Sequence, residues 1–248
     1  GGVDRADVAP GEGEELILRY HPDLANASWD PQGALVILGR DGREWSAIYD
    51  AAAIDAIKVL NGDAWVNWRY RIIELVDATG DGLVDPLVEL VYSNGLRTVV
   101  AGVVLLSAHP GDEAAPVRAL FAQETTFTRP AFSTRPAGDG RVLQAVIRIQ
   151  DLDAITRTYA LNGATFVLQN ETINPDAAYA SYVAPDGTGW YAFDQFDGGG
   201  GSLPYSPQLG LYRLQGDRLR HWDIPGAIRA LRLQSIGVRS LQEIHAKS

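Results

Sequence analysis

The stretch Asp77-Ala78-Thr79-Gly80-Asp81-Gly82-Leu83-Val84-Asp85 carries oxygen-bearing side chains at its first, third, fifth and ninth positions and a glycine at its sixth. Alternate positions of a tightly wound loop point toward one centre, and Gly82 permits the sharp turn that wrapping a cation demands. A hard cation such as Ca2+ takes about six to eight oxygen ligands. Asp77, Thr79, Asp81 and Asp85, with the Leu83 carbonyl and water, supply such a shell. The plainer reading is a solvated Asp-Gly turn, but a turn needs neither the third nor the ninth oxygen.

The flanking residues decide what this loop joins. An EF-hand requires a bidentate Glu at its twelfth position and a helix on each side. Position twelve is Val88, and the nearest Glu is Glu89. Upstream lies Tyr70-Arg71-Ile72-Ile73-Glu74-Leu75-Val76, rich in branched residues; downstream, Leu87-Val88-Glu89-Leu90-Val91-Tyr92 runs into Asn94-Gly95 and then a second apolar run from Leu96 to Leu106. Two β-type runs about Asn-Gly signal a hairpin. The loop therefore connects strands, with Pro86 at a strand start where its missing N–H is tolerated.

From Val76 to Val88 the chain resembles the calcium loop of FG-GAP/VCBS-type repeats, which form blades of β-propellers in integrin-like ectodomains and secreted bacterial proteins. The resemblance is confined to about residues 70–92. It implies bound Ca2+ held by Asp77, Thr79, Asp81, Leu83 and Asp85, and an extracellular or cell-surface setting. The repeats usually carry Asp or Asn at the third position, so Thr79 implies a weaker site. Ile149-Gln150-Asp151-Leu152-Asp153-Ala154-Ile155 reads as a second copy that has lost its Asp-Gly.

The rest of the chain is also punctuated by glycine turns between apolar runs, at Gly42, Gly95, Gly163, Gly187 and Gly216. Their spacing is irregular, so no strict repeat follows. All-β architecture does follow, as a small or incomplete β-propeller-like array of antiparallel hairpins, with two packed β-sandwich lobes as the alternative. Residues 1–13 read as a flexible arm and 14–124 as a first β lobe containing the cation loop. Residues 125–140, rich in Thr, Pro and Gly, read as a connection, and 141–248 as a second β lobe. Asp50 to Gly62 has helical spacing at Ile54, Ile57 and Leu60, with Asp50 as its cap.

Charge separates the ends of the chain. Leu211 to Ser248 holds seven basic residues against three acidic ones, within a chain of net charge −10. This basic segment either folds back on its own acidic body or docks on a neighbour's acidic surface, a head-to-tail contact that propagates into polymers. The run Ile228 to Ile244 reads as a strand that could extend another subunit's sheet. An overall acidic chain disfavours nucleic acid, whose affinity rests on cations paired with phosphates.

With no cysteine, thiolate metal sites, disulfides and cysteine nucleophiles are excluded. No apolar run reaches the ~18 residues of a transmembrane helix. A chain that begins Gly-Gly and has no methionine fits a processed, trimmed or engineered product, and removal of a secretory signal would explain it. There is no G-x-S-x-G, no phosphate-binding G-x-x-x-x-G-K and no H-E-x-x-H, and His21, His109, His221 and His245 show no ligand spacing. The expectation is a secreted or cell-surface, calcium-stabilised structural or adhesive module rather than an enzyme, acting through self-association or another surface protein. The alternatives are a carbohydrate-binding or glycoside-cleaving propeller, with Trp65, Trp68 or Trp190 as the platform for a polysaccharide, and an accessory subunit of an envelope complex.

Overall fold

A computed structural model describes residues 2–11, 13–20, 34–41, 44–50, 67–93, 98–112, 116–124, 130–138, 140–149, 152–178, 180–193, 211–216, 218–222 and 238–247. The chain is all-β, an array of antiparallel hairpins. The first sheet contains β1 (Gly2–Ala6), β2 (Glu15–Tyr20), β3 (Ala34–Asp41) and β4 (Glu44–Asp50). The second contains β5 (Asn67–Val76), β6 (Asp85–Ser93), β7 (Thr98–Ala108) and β8 (Val117–Glu124). β9 (Ala131–Ala137), β10 (Gly140–Ile149), β11 (Leu152–Asn162) and β12 (Thr165–Ile173) make the third. A 3₁₀ turn at Pro175–Ala177 precedes the fourth, built from β13 (Ala180–Val183), β14 (Gly189–Ala192), β15 (Leu211–Gln215) and β16 (Arg218–Trp222). In each sheet, spatial neighbours are also consecutive in sequence. Each sheet is thus a simple meander.

By internal contacts the chain divides into two compact units, Gly1–Gln144 with Thr158–Gln169 and Ala145–Arg157 with Asn170–Ser248. In the first unit, the apolar faces of the first two sheets share one core. Ile17, Leu35, Ile37 and Tyr49 meet Val88, Leu90, Val104, Leu106 and Val117, joined by Ala6, Val8 and Ala9. Alternation explains β2 and β3, where Ile17, Leu35 and Ile37 are buried between half-buried neighbours. The β6 and β7 strands are central, and every residue from Asp85 to Val91 and from Gly102 to Ala108 is buried. Their near-continuous apolar runs suit strands covered on both faces.

The second unit is organised about β14, whose four residues are all buried. One face carries Trp190 and Ala192 against Ala180 and Leu211, and the other carries Tyr191 against Tyr212 and Ile155. The first of these faces is covered by a helix, α1 (Val238–His245), whose Leu241 is fully buried among them and whose Ile244 packs beside it. Trp190 donates from Nε1 to His245 Nδ1 at 3.2 Å, so the last turn of the helix accepts the one polar hydrogen of a buried indole. The hairpin turns at Gly163 and Gly216 both have φ of 61°, the left-handed conformation that glycine adopts without strain.

Three expectations are altered, and a fourth lies almost wholly outside the described residues. Residues 1–13 are not an arm throughout, because Gly2–Ala6 pair with β2 as a strand and Ala6, Val8 and Ala9 are buried. The 125–140 connection contains β9, with Phe132 and Thr134 buried. Pro136 is tolerated there because β9 lies at an edge of its sheet. The C-terminal part of the Ile228 to Ile244 run is helical, since Leu241, Ile244 and His245 recur at intervals of three and four rather than two. Asp50 ends β4, and the remainder of the Asp50–Gly62 helix lies outside the described residues. Among the described residues no helix is long and apolar enough to cross a membrane.

If α1 is an integral part of this core, Leu241→Ala leaves a cavity beside Trp190. The expected loss is about 2–5 kcal/mol of unfolding free energy, read by urea denaturation with tryptophan fluorescence. An unchanged midpoint would show that the helix is not needed for the core.

Candidate metal centre

The β5 and β6 strands pair up to Val76 opposite Asp85, so Asp77 to Val84 form the loop of this hairpin. A loop of this length between two strands leaves its backbone N–H groups without ladder partners, and they must find other acceptors. Three carboxylates provide them. Asp77 accepts from Gly80 N–H at 2.6 Å through Oδ1 and from Gly82 N–H at 2.9 Å through Oδ2. Asp81 accepts from Leu83 N–H at 2.9 Å. Asp85 Oδ2 accepts from Ala78 N–H at 2.7 Å and Thr79 N–H at 3.0 Å. Val84 N–H instead donates to the Asp7 carbonyl at 2.6 Å. Gly80 and Gly82, at φ of 84° and 88°, make the two left-handed steps that turn these amides inward.

Asp85 is fully buried at the root of the loop, whereas Asp81 is exposed at its tip. Burial pushes the Asp85 carboxyl above the ordinary aspartate range. The Ser107 hydroxyl and the Ala78 and Thr79 amides oppose that shift, and the Asp81 charge adds to it. No hydrogen bond of standard geometry reaches Asp85 Oδ1, although Ser107 stands close enough to favour the ionised form. Thr79 Oγ1 is likewise buried without a hydrogen bond. A carboxylate oxygen and a hydroxyl are the donor types that a hard cation takes.

Asp77, Thr79, Asp81 and Leu83 lie in the loop and Asp85 lies at its root, as the first residue of β6. Asp77, Asp81 and Asp85 are turned onto the loop's own amides, and Leu83 takes part through its N–H. Among the described residues no three acidic or histidine side chains converge as a metal-ligating group. Coordination by all three aspartates therefore requires Asp77 and Asp81 to turn toward a common point.

A second loop has the same closure, and the sequence reading missed it. Between β1 and β2, Glu15 is buried at 6% exposure, and its Oε2 accepts from Val8 N–H at 2.6 Å and Ala9 N–H at 3.3 Å. Asp7 and Glu15 are eight residues apart, as are Asp77 and Asp85, and both carboxylates bond the amides seven and six residues before them. The signal in the sequence was an Asp, a Gly-x-Gly and an acid at the ninth position. The third and fifth positions here are Ala9 and Gly11, so the alternate-position oxygens of the 77–85 loop are not repeated, and the loop's further acids, Glu12 and Glu14, fall at its sixth and eighth positions.

The other candidates resolve differently. Ile149 ends β10 and Leu152 begins β11, which leaves no room for a second nonamer loop, and Asp153 bonds Arg148 at 2.7 Å. Asp151 lies outside the described residues. Trp190 is fully buried and bonded to His245, so it offers no face to a sugar. The Trp65 residue and the Trp68 side chain lie outside the described residues. His109 receives a hydrogen bond from Arg118 at Nε2, 3.1 Å away, and its Nδ1 stands 3.6 Å from Asp112. No family model, characterised protein or solved structure matches the chain.

The Asp85 environment sets a pH dependence in chelator. Its folded form keeps a proton to higher pH than the ordinary value of 3.8. Between that value and the raised one the native state binds more proton, so this group's contribution to stability falls as pH rises and is least favourable above the window. The melting temperature of Asp85→Asn relative to the unsubstituted chain is therefore expected to be highest near neutrality and to fall as pH is lowered toward 4. A difference independent of pH would contradict the assignment.

Proposed function

We propose that this chain is a calcium-stabilised structural or adhesive module that works outside the cell or on its surface, with the Asp77–Asp85 loop as its cation site. The observation that carries the reading is the fully buried Asp85, whose Oδ1 lacks a hydrogen bond of standard geometry although Ser107 stands near it, together with a Thr79 hydroxyl that is buried without one. The exposed Asp81 completes the acidic loop at the solvent end. Bound Ca2+ offsets the repulsion among these carboxylates and ties β5 to β6 through side chains as well as amides.

Thr79 in place of a third-position acid lowers the charge of the site, and fewer charged ligands mean weaker binding. A weak site fills at the high calcium levels outside cells, which supports the extracellular assignment. The resemblance to FG-GAP/VCBS-type loops points the same way, and a four-stranded meander is the unit from which propeller blades are built. The module acts by contact, through self-association or through another surface protein. Helix α1 docks on its own unit's sheet, so the basic C-terminal segment contributes to the chain's own core at Leu241 and Ile244.

Calcium at about a hundred times its dissociation constant is expected to add about 2.7 kcal/mol to the stability of the native state. Thermal unfolding in calcium and in chelator measures this, with Asp81→Ala as the comparison because Asp81 is exposed and its loss leaves the Asp85 closure intact. The unsubstituted chain should melt higher in calcium, and Asp81→Ala should melt alike in both. Identical melting of the unsubstituted chain in both buffers would sink the reading.

A further inference from the structure

We infer that the Asp77–Asp85 loop controls the docking of the N-terminal strand β1, so that a cation held in the loop tightens β1 onto its sheet. The inference rests on the cation reading of that loop and adds a conformational output to it. Both loops and β1 lie within the first unit.

The path is short and made of named bonds. β1 is five residues long and, among the described residues, pairs only with β2. Besides the ladder to β2, three kinds of contact among the described residues hold it. Asp4 pairs with Arg19 at 2.7 Å across the ladder, with both side chains partly exposed, so this ion pair holds only weakly. Ala6, Val8 and Ala9 enter the shared core. The segment after the strand is fixed by Glu15, which takes the Val8 and Ala9 amides, and by Val84, which donates to the Asp7 carbonyl at 2.6 Å.

Val84 sits between Leu83, whose N–H goes to Asp81, and Asp85, the buried carboxylate. A cation that draws Asp81 and Asp85 together fixes the Val84 peptide from both sides. Asp7 is one hydrogen bond away and directly follows Ala6, the last residue of β1. With the cation absent, Val84 is placed by its side chain packed against the shared core, by the exposed Asp81 contact next to it and by the Asp85 closure.

The two loops divide the work. The Asp77–Asp85 loop has the alternate oxygens to respond to a cation; the Asp7–Glu15 loop, the first of the two in the chain, has the same carboxylate closure without them and so serves as a passive receiver. This assigns a role to the repeated geometry, because a loop closed by Glu15 holds its shape in any cation condition and transmits what Val84 delivers to it. The coupling is reciprocal, so release of β1 lowers the loop's cation affinity by the same factor.

Hydrogen exchange followed by mass spectrometry tests this on the full chain, comparing the peptides that cover residues 2–11 and 77–91 in calcium and in chelator. Protection of residues 2–11 is expected to rise in calcium by about five- to 150-fold, the usual range for coupled sites, and to be insensitive to calcium in Asp81→Ala. Glu15→Gln should raise exchange of residues 2–11 in both buffers, because it weakens the closure that holds Val8 and Ala9. Calcium protection of 77–91 without any change at 2–11 would overturn the coupling while leaving the cation site standing. No calcium effect in either peptide would overturn both. An unchanged exchange of residues 2–11 in Glu15→Gln would remove Glu15 from the path and overturn the receiver role of the first loop.

Discussion

Backbone amides that turn away from a strand ladder must be given acceptors, and in this chain buried carboxylates supply them. Asp85 and Glu15 each sit at the start of a strand and each reach back to two amides of the preceding loop. A carboxylate bonded to backbone N–H groups makes charge-assisted contacts, stronger than those of a neutral acceptor. The charge is costly to bury, and the raised Asp85 carboxyl is the sign of that cost. The closure nevertheless fixes where β1 meets β2 and where β5 meets β6. From those two roots, Ile17, Leu35 and Ile37 are aimed at Val88, Leu90, Val104 and Leu106.

The bond from Val84 to Asp7 makes the two roots one arrangement rather than two copies of a device. A loop that carries cation ligands and a loop that lacks them share a backbone contact, and the N-terminal strand hangs from the second. In the other unit the corresponding constraint is apolar. Trp190, buried on a strand with no exposed residue, finds a polar partner in His245 on a helix that also packs through Leu241 and Ile244.

Much of this was legible in the sequence, for identifiable reasons. The hairpins at Gly163 and Gly216 were readable because a two-residue turn leaves a local signature, and the 77–85 loop because its oxygens recur at alternate positions. The β1 strand was hidden because its alternation runs through charged residues, Asp4 and Arg5, whose partners lie outside the strand, as Arg19 does for Asp4. The β9 strand was hidden by Thr134, Arg135 and Pro136, residues that mark loops unless an edge position excuses them. The Asp7–Glu15 loop went unseen because its Asp, Gly-x-Gly and ninth-position acid lack the alternate oxygens that make the 77–85 pattern stand out. Helix α1 was read as part of a strand because apolar residues punctuate the run from Ile228 to Ile244, while its burial at Leu241, Ile244 and His245 follows the helical period.

The most direct test of this account is a crystal structure grown in calcium, with an anomalous difference map recorded at long wavelength. The account expects one peak within the 77–85 loop, with oxygens of Asp77, Asp81 and Asp85 about 2.3–2.6 Å from it, no peak in the 7–15 loop, and the Val84 bond to Asp7 retained. A loop without a peak, with Asp77 and Asp85 still closed on their amides, would contradict it and leave the carboxylates as hydrogen-bond acceptors alone.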